Sequence, residues 1–162
     1  MNTVYLLTGG NIGNRLHNLE TAENYLEKEV GKVIRSSAIY ETAAWGNSDQ
    51  PDFYNQVHII KTKLKAEEIM KKILEIEKEM GRVRTTKNAA RQIDIDILFF
   101  NKEIINKTGL IIPHTEIANR RFVLAPLHEL SSRMIHPRLK KSMAELLSTC
   151  TDKLKVKRVN SL

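Results

Sequence analysis

Apolar residues recur along this chain at more than one spacing, and each change of spacing marks an element. An apolar run within residues 3–8 predicts a strand. Apolar positions then fall three and four apart at Leu16, Leu19, Ala22, Leu26 and Val30, the stripe of an amphipathic helix over 14–30 that stops before Gly31. Strands are predicted near 32–41 and 54–63. A second helix over 66–80 carries Ile69, Ile73, Ile76 and Met80 on one face and stops before Gly81, and a strand follows at 93–100. The order β-α-β-β-α-β favours a ferredoxin-like α+β core with an antiparallel or mixed sheet and both helices on one face, because each βαβ unit leaves room for another strand between its pair. After residue 101 come an extended piece around Leu110–Ile112, helices near 118–130 and 141–149, and a strand candidate at Lys155–Val159. These additions are expected to cover the remaining sheet surfaces.

Composition narrows the classes without choosing one. With 162 residues, 41% hydrophobic and 28% charged, and no linker or repeat, the chain fits one domain over 1–162 with a single core. The N-terminus lacks a basic leader, and no stretch approaches the roughly 20 apolar residues of a membrane span. A cytoplasmic protein without membrane contact is expected. The single cysteine, Cys150, excludes an intrachain disulfide and a thiolate zinc cluster, and beside Leu146 and Leu147 it reads as a packed helix end. The five histidines show no metal-ligand spacing. A net charge of +7 would attract RNA, an anionic membrane or a small polyanion equally well.

Candidate chemistry centres on Asp94 and Asp96, set in the apolar run Ile93–Phe100. Side chains alternate along a strand, so the two carboxylates share a face about 7 Å apart at Cα, while Ile93, Ile95, Ile97 and Phe99 cover the other. Taken alone, the pair reads more simply as the solvated face of an antiparallel strand. The preceding segment changes that reading: residues 81–91 carry Arg82, Arg84, Lys87 and Arg91, and guanidinium groups match phosphate oxygens bidentately. Carboxylates for a hard cation beside cations for a polyphosphate suggest magnesium-dependent phosphoryl transfer. Glu77 falls on or beside the buried face of the second helix, where a carboxylate needs a partner. The segment Thr42–Asp52 is long for a connection between adjacent strands and holds the only tryptophan, Trp45, as expected of a binding loop. Gly9-Gly10-Asn11-Ile12-Gly13 is neither GxGxxG nor a P-loop and reads as a tight turn into the first helix.

The run Lys87-Asn-Ala-Ala-Arg-Gln-Ile-Asp94-Ile-Asp96-Ile-Leu98 closely resembles the signature of the 6-hydroxymethyl-7,8-dihydropterin pyrophosphokinase family. Agreement extends through Gly9-Gly10-Asn11, Tyr40-Glu-Thr42, Gln50-Pro-Asp52-Phe-Tyr-Asn55, Glu77, Gly81-Arg-Val-Arg84, Ile112-Pro-His114 and Asn119-Arg-Arg-Phe122. The resemblance implies the same fold and the transfer of pyrophosphate from MgATP to the pterin hydroxymethyl group, releasing AMP, in folate biosynthesis. It implies two Mg²⁺ ions on Asp94 and Asp96, and catalysis by those residues with Arg82 and Arg91. ATP would meet Glu77, Arg82, Arg84, Arg91, His114, Thr115 and Arg120. The pterin would lie between Phe53 and Phe122, with Thr42, Trp45 and Asn55 completing its pocket. The expected partners are these two substrates, with the chain acting as a monomer. Asn88-Ala89-Ala90 departs from the family, where a tryptophan and a proline are frequent, and Thr115 stands where an aromatic is common. An RNA-binding module shares the βαββαβ order, but the aromatic RNP1-like run is absent and the aspartates would repel phosphate.

Overall fold

The computed structural model describes residues 1–44, 49–81 and 92–159. Its elements are strand β1 (Asn2–Gly10), helix α1 (Arg15–Glu29), strands β2 (Lys32–Ser36), β3 (Tyr40–Thr42) and β4 (Phe53–Thr62), helix α2 (Ala66–Glu79), strand β5 (Asp94–Phe100), strands β6 (Ile105–Lys107) and β7 (Leu110–Ile112), a 3₁₀ turn at Ile117–Asn119, helices α3 (Arg121–Ser131) and α4 (Met143–Thr149), and strand β8 (Val156–Arg158). The main sheet runs β5-β1-β4-β3-β8, with β2 also on β4, and its printed pairings are antiparallel. This is the expected ferredoxin-like order, with β1 and β4 central and β8 added at one edge.

Alternation along β1 divides the interior in two. Val4 and Leu6 meet α1 and α2 through Leu19, Ala22, Leu26, Ile69, Ile73 and Ile76. Leu7 meets α3 and α4 through Val123, Leu124, Leu127, Met143 and Leu146. Each fully buried Leu or Ile contributes about 1.5–3 kcal/mol of transfer free energy, so both layers hold the sheet. Among the described residues no helix is long and apolar enough to cross a membrane.

The two helix stops have different causes. Gly81 adopts φ +81° after the Met80 C-cap of α2, the left-handed turn that glycine permits. Gly31 instead passes so near β4 that a Cβ would stand 2.2 Å from the Lys61 carbonyl oxygen. Three expectations need correction. The region 32–41 is two strands rather than one, both on β4. Gly9 and Gly10 belong to β1, and the turn lies beyond them with φ +73° at Gly13. Phe99 does not share a face with Ile95 and Ile97: the β1–β5 register shifts opposite Tyr5/Leu6, leaving Leu98 as an extra residue, so Leu98 and Phe99 both pack on the α3 side and Phe100 returns to the α1–α2 side. A bulge resets the period, which a run of apolar residues does not reveal.

Candidate active site

A cavity of about 70 Å³ opens on the α3 side of the sheet, around the C-terminal end of β1. Leu7 and Gly9 form its floor, Asp94 and Asp96 one side, and Thr42, Ala43, Phe53 and Asn55 the other, with Arg120 and Phe122 joining from the start of α3. Strand register explains the convergence. Gly9 pairs with Asn55 on β4 and with Asp94 on β5, and Leu7 pairs with Val57 and Asp96. Residues opposite one another share a face, so the amide and the two carboxylates point to the same side across three strands.

Gly9 makes this possible. A Cβ there would lie 2.5 Å from Asn55 Oδ1, inside any permitted contact. Asn55 is 4% exposed, and its Nδ2 has no hydrogen-bond partner among the described residues. A buried amide donor facing a cavity in this way is suited to an acceptor on a ligand. Thr42 is also buried, with its hydroxyl donating to the Lys155 carbonyl at 3.2 Å. Phe53 and Phe122 remain half-buried.

Helix α3 brings Arg120 and Phe122 by a fixed route. The Arg121 amide donates to Asp152 Oδ2 at 2.9 Å and its Nε to the Asp152 carbonyl at 3.2 Å. A carboxylate from the chain's end thus satisfies a first-turn N–H of α3. The Arg120 guanidinium lies 5.9 Å from the Phe122 ring centroid.

Glu77, His114 and Thr115 do not line the cavity; Glu77 and His114 meet the outer edge of β5. Glu77 is 2% exposed, and its Oε2 accepts from the Ile95 amide at 2.9 Å. That N–H faces away from β1, where no further strand follows among the described residues, and the carboxylate takes the place of a neighbouring strand's carbonyl. The His114 amide likewise donates to the Leu98 carbonyl at 3.1 Å. His114 Nδ1 accepts from the Glu116 amide at 3.1 Å. Burial, then the Arg120 charge, holds the imidazole below its ordinary pKa, opposed by Glu116 and Asp94. Thr115 is exposed. Trp45, Arg82, Arg84, Lys87 and Arg91 lie outside the described residues.

Among the described residues no group of three or more His, Cys, Asp or Glu side chains could hold a metal ion. Asp94 and Asp96 on one cavity wall form a donor set of two carboxylates. This fits Mg²⁺, which takes one or two carboxylates and completes its octahedron with water and phosphate oxygens, better than zinc, which favours nitrogen and sulfur ligands. Sequence alone does not single out Leu7, Ala43 or Asp152, and it places Gly9 in a turn. A glycine at the end of an apolar strand was the available signal, since such residues mark close approach.

The sequence model of 7,8-dihydro-6-hydroxymethylpterin-pyrophosphokinase (HPPK) matches residues 5–132. The 2-amino-4-hydroxy-6-hydroxymethyldihydropteridine pyrophosphokinase of Aquifex aeolicus is 40% identical over 145 residues, 90% of each protein. The Folic acid synthesis protein fol1 of Pneumocystis carinii is 38% identical over 92% of this chain, which spans only 20% of that protein. A crystal structure of Plasmodium falciparum HPPK-DHPS with SDX-DHP superposes with a TM-score of 0.74 at 21% identity, over 91% of this chain and 43% of that one.

Proposed function

The chain belongs to the 7,8-dihydro-6-hydroxymethylpterin-pyrophosphokinase family, and on that premise we propose that it transfers pyrophosphate from MgATP to the hydroxymethyl group of 6-hydroxymethyl-7,8-dihydropterin. AMP is released, and the reaction belongs to folate synthesis. The observation that carries this reading is one cavity lined by two carboxylates, a buried amide and two phenylalanines. A polyphosphate–metal group and a flat polar ring could meet there.

The pterin lies between Phe53 and Phe122, where aromatic faces favour offset stacking. Asn55 reads the polar edge of the ring through its carboxamide, and Thr42 and Trp45 close the pocket. ATP extends towards the outer edge of β5, with Glu77, His114, Thr115 and Arg120 on that side and Arg82, Arg84 and Arg91 as further phosphate contacts. Asp94 and Asp96 would hold two Mg²⁺ ions, which would withdraw charge from phosphate oxygens and favour loss of the nucleophile's proton. The hydroxymethyl oxygen attacks the β-phosphorus, the bond from that phosphorus to the oxygen bridging the α-phosphate breaks, and AMP leaves. The protein supplies alignment and charge: stacking and Asn55 fix the attacking oxygen, while Arg82 and Arg91 counter charge on the bridging and terminal oxygens. Leu7 and Gly9 close the floor against water. Asn88-Ala89-Ala90, without the frequent tryptophan, changes nucleotide affinity more than reaction type.

The test is incubation of purified protein with ATP, MgCl₂ and 6-hydroxymethyl-7,8-dihydropterin, followed by chromatography, with pterin-free and EDTA controls. Equal amounts of AMP and pterin diphosphate, both abolished by EDTA, are expected. ADP in place of AMP would indicate an ordinary kinase, and no pterin-dependent product would overturn the assignment.

A further inference from the structure

The two halves of the cavity are held from one place that does not itself line it, the turn after β1 together with the first turn of α1. Asn11 is 2% exposed, and its Nδ2 donates both to Gln50 Oε1 at 2.9 Å and to the Pro51 carbonyl at 3.1 Å. One turn later Arg15 donates to the Asp52 carbonyl at 2.9 Å and to Glu41 Oε2 at 2.8 Å, with its guanidinium 3.9 Å from the Tyr54 ring centroid. Residues 50 and 51 are thus tied to the turn, and residue 52 to the start of α1, immediately before Phe53 begins β4. The other side is built similarly. Asn18 is 6% exposed; its Nδ2 donates to the Ile12 carbonyl at 3.0 Å, and its Oδ1 accepts from Gln92 Nε2 at 3.3 Å. Gln92 stands two residues before Asp94, the first residue of β5.

We infer that Asn11 and Asn18 are positioning residues that set the two halves of the site separately, Asn11 the Phe53–Asn55 side and Asn18 the Asp94–Asp96 side. The inference rests on the pyrophosphate-transfer reading for its functional consequence, though not for its geometry. Pairing with β1 fixes which residues face the cavity but leaves the strand starts free to pivot by fractions of an ångström. An error of about 1 Å in a reacting group can cost about 100-fold in rate. Each asparagine uses the chemistry its place requires. Asn11 gives both amide hydrogens to two acceptors, which alanine cannot replace. Asn18, in the first turn of α1, donates back to the turn before the helix and accepts outward from Gln92, so aspartate would keep the outward half.

Asn11→Ala is expected to raise the pterin KM about tenfold with the MgATP KM within about twofold of wild type. Asn18→Ala is expected to raise the MgATP KM or lower kcat by a similar factor with the pterin KM unchanged, and Asn18→Asp is expected to recover most of that loss. A second readout needs no turnover. In amide NMR spectra Asn11→Ala should shift Phe53 and Asn55 more than Asp94 and Asp96, and Asn18→Ala should do the reverse. If each variant moves both sets and both KM values together, the turn is a plain structural element and the inference fails. If the amide shifts divide as expected while wild-type protein makes no pterin diphosphate, the positioning stands and the reading of the reaction is what fails.

Discussion

Replacing Gly9 with alanine tests the site most directly, because the perturbation is one methyl group at a known place. Its Cβ would stand 2.5 Å from Asn55 Oδ1, 3.4 Å from the Tyr54 carbonyl oxygen and 3.6 Å from Asn55 Cγ. Only the first contact is intolerable, and it involves the end of a side chain rather than backbone. Asn55 can turn its carboxamide away, at about 0.5–1.5 kcal/mol for leaving its rotamer. The fold should therefore survive with a melting temperature only a few degrees lower, as a loss of about 1 kcal/mol gives in a domain of this size. The carboxamide would no longer meet the ring edge. Misplacing a buried hydrogen-bonding group costs about 1–3 kcal/mol, a rise of roughly 5- to 150-fold in the pterin KM. Steady-state assays varying pterin at saturating MgATP, then MgATP at saturating pterin, separate the two sides of the cavity. Folded Gly9→Ala protein with a wild-type pterin KM would refute both the role of Asn55 and the reason given for the glycine.

Further outcomes follow from other positions. Asp96→Ala should lower turnover by about 10²–10³-fold, the scale for losing one electrostatic stabiliser, with little change in thermal melting; unchanged AMP release would remove the carboxylate from the mechanism. Gly31→Ala should destabilise the protein by about 1–3 kcal/mol or more, because its Cβ meets the Lys61 carbonyl oxygen at 2.2 Å and Thr62 Cα at 3.0 Å; an unchanged urea midpoint would show that α1 can shift freely. His136 is 4% exposed, and its Nδ1 accepts from the Arg138 and Leu139 amides at 3.1 Å each; burial, then the Arg138 charge, holds its pKa below 6.5. The unfolded chain then takes up this proton more readily than the folded one, so the stabilisation is complete above pH 6.5 and is lost as pH falls through the depressed value. Melting temperature should fall on acidification from about pH 7 to pH 5.5, less steeply in His136→Gln, with His114 adding a slope of the same sign; parallel profiles for the two proteins would refute the assignment to His136.

The periodic stripes at Leu19, Leu26, Ile69 and Ile73 were sufficient to give both helices and the βαββαβ order, because burial against a sheet demands one apolar face whatever the neighbours are. Asp94 and Asp96 were legible for a similar reason: charges inside an apolar strand stand out, and alternation places them together. Alternation alone puts Phe99 on the wrong face because one extra residue reverses the faces of a strand, and the bulge at Leu98 exists only relative to Tyr5 and Leu6 on its partner.

By itself the sequence determined what is local: helix stripes, the facing of the two aspartates, the stop at Gly81, and a motif order specific enough to indicate the family. Only the tertiary structure decided what depends on residues far apart in the chain. Asn55, Gly9 and Asp94 become a row through antiparallel pairing. Glu77 meets Ile95, and Asp152 meets Arg121, through packing and strand-edge geometry. Gly9 shows the boundary most clearly: its sequence neighbours suggested a turn, whereas its use is to leave empty a space that β4 fills with an amide. Local periodicity is set by the backbone's own geometry and is written in neighbouring residues. Register, edge and close approach are relations between segments, and they acquire values only when the chain has closed on itself.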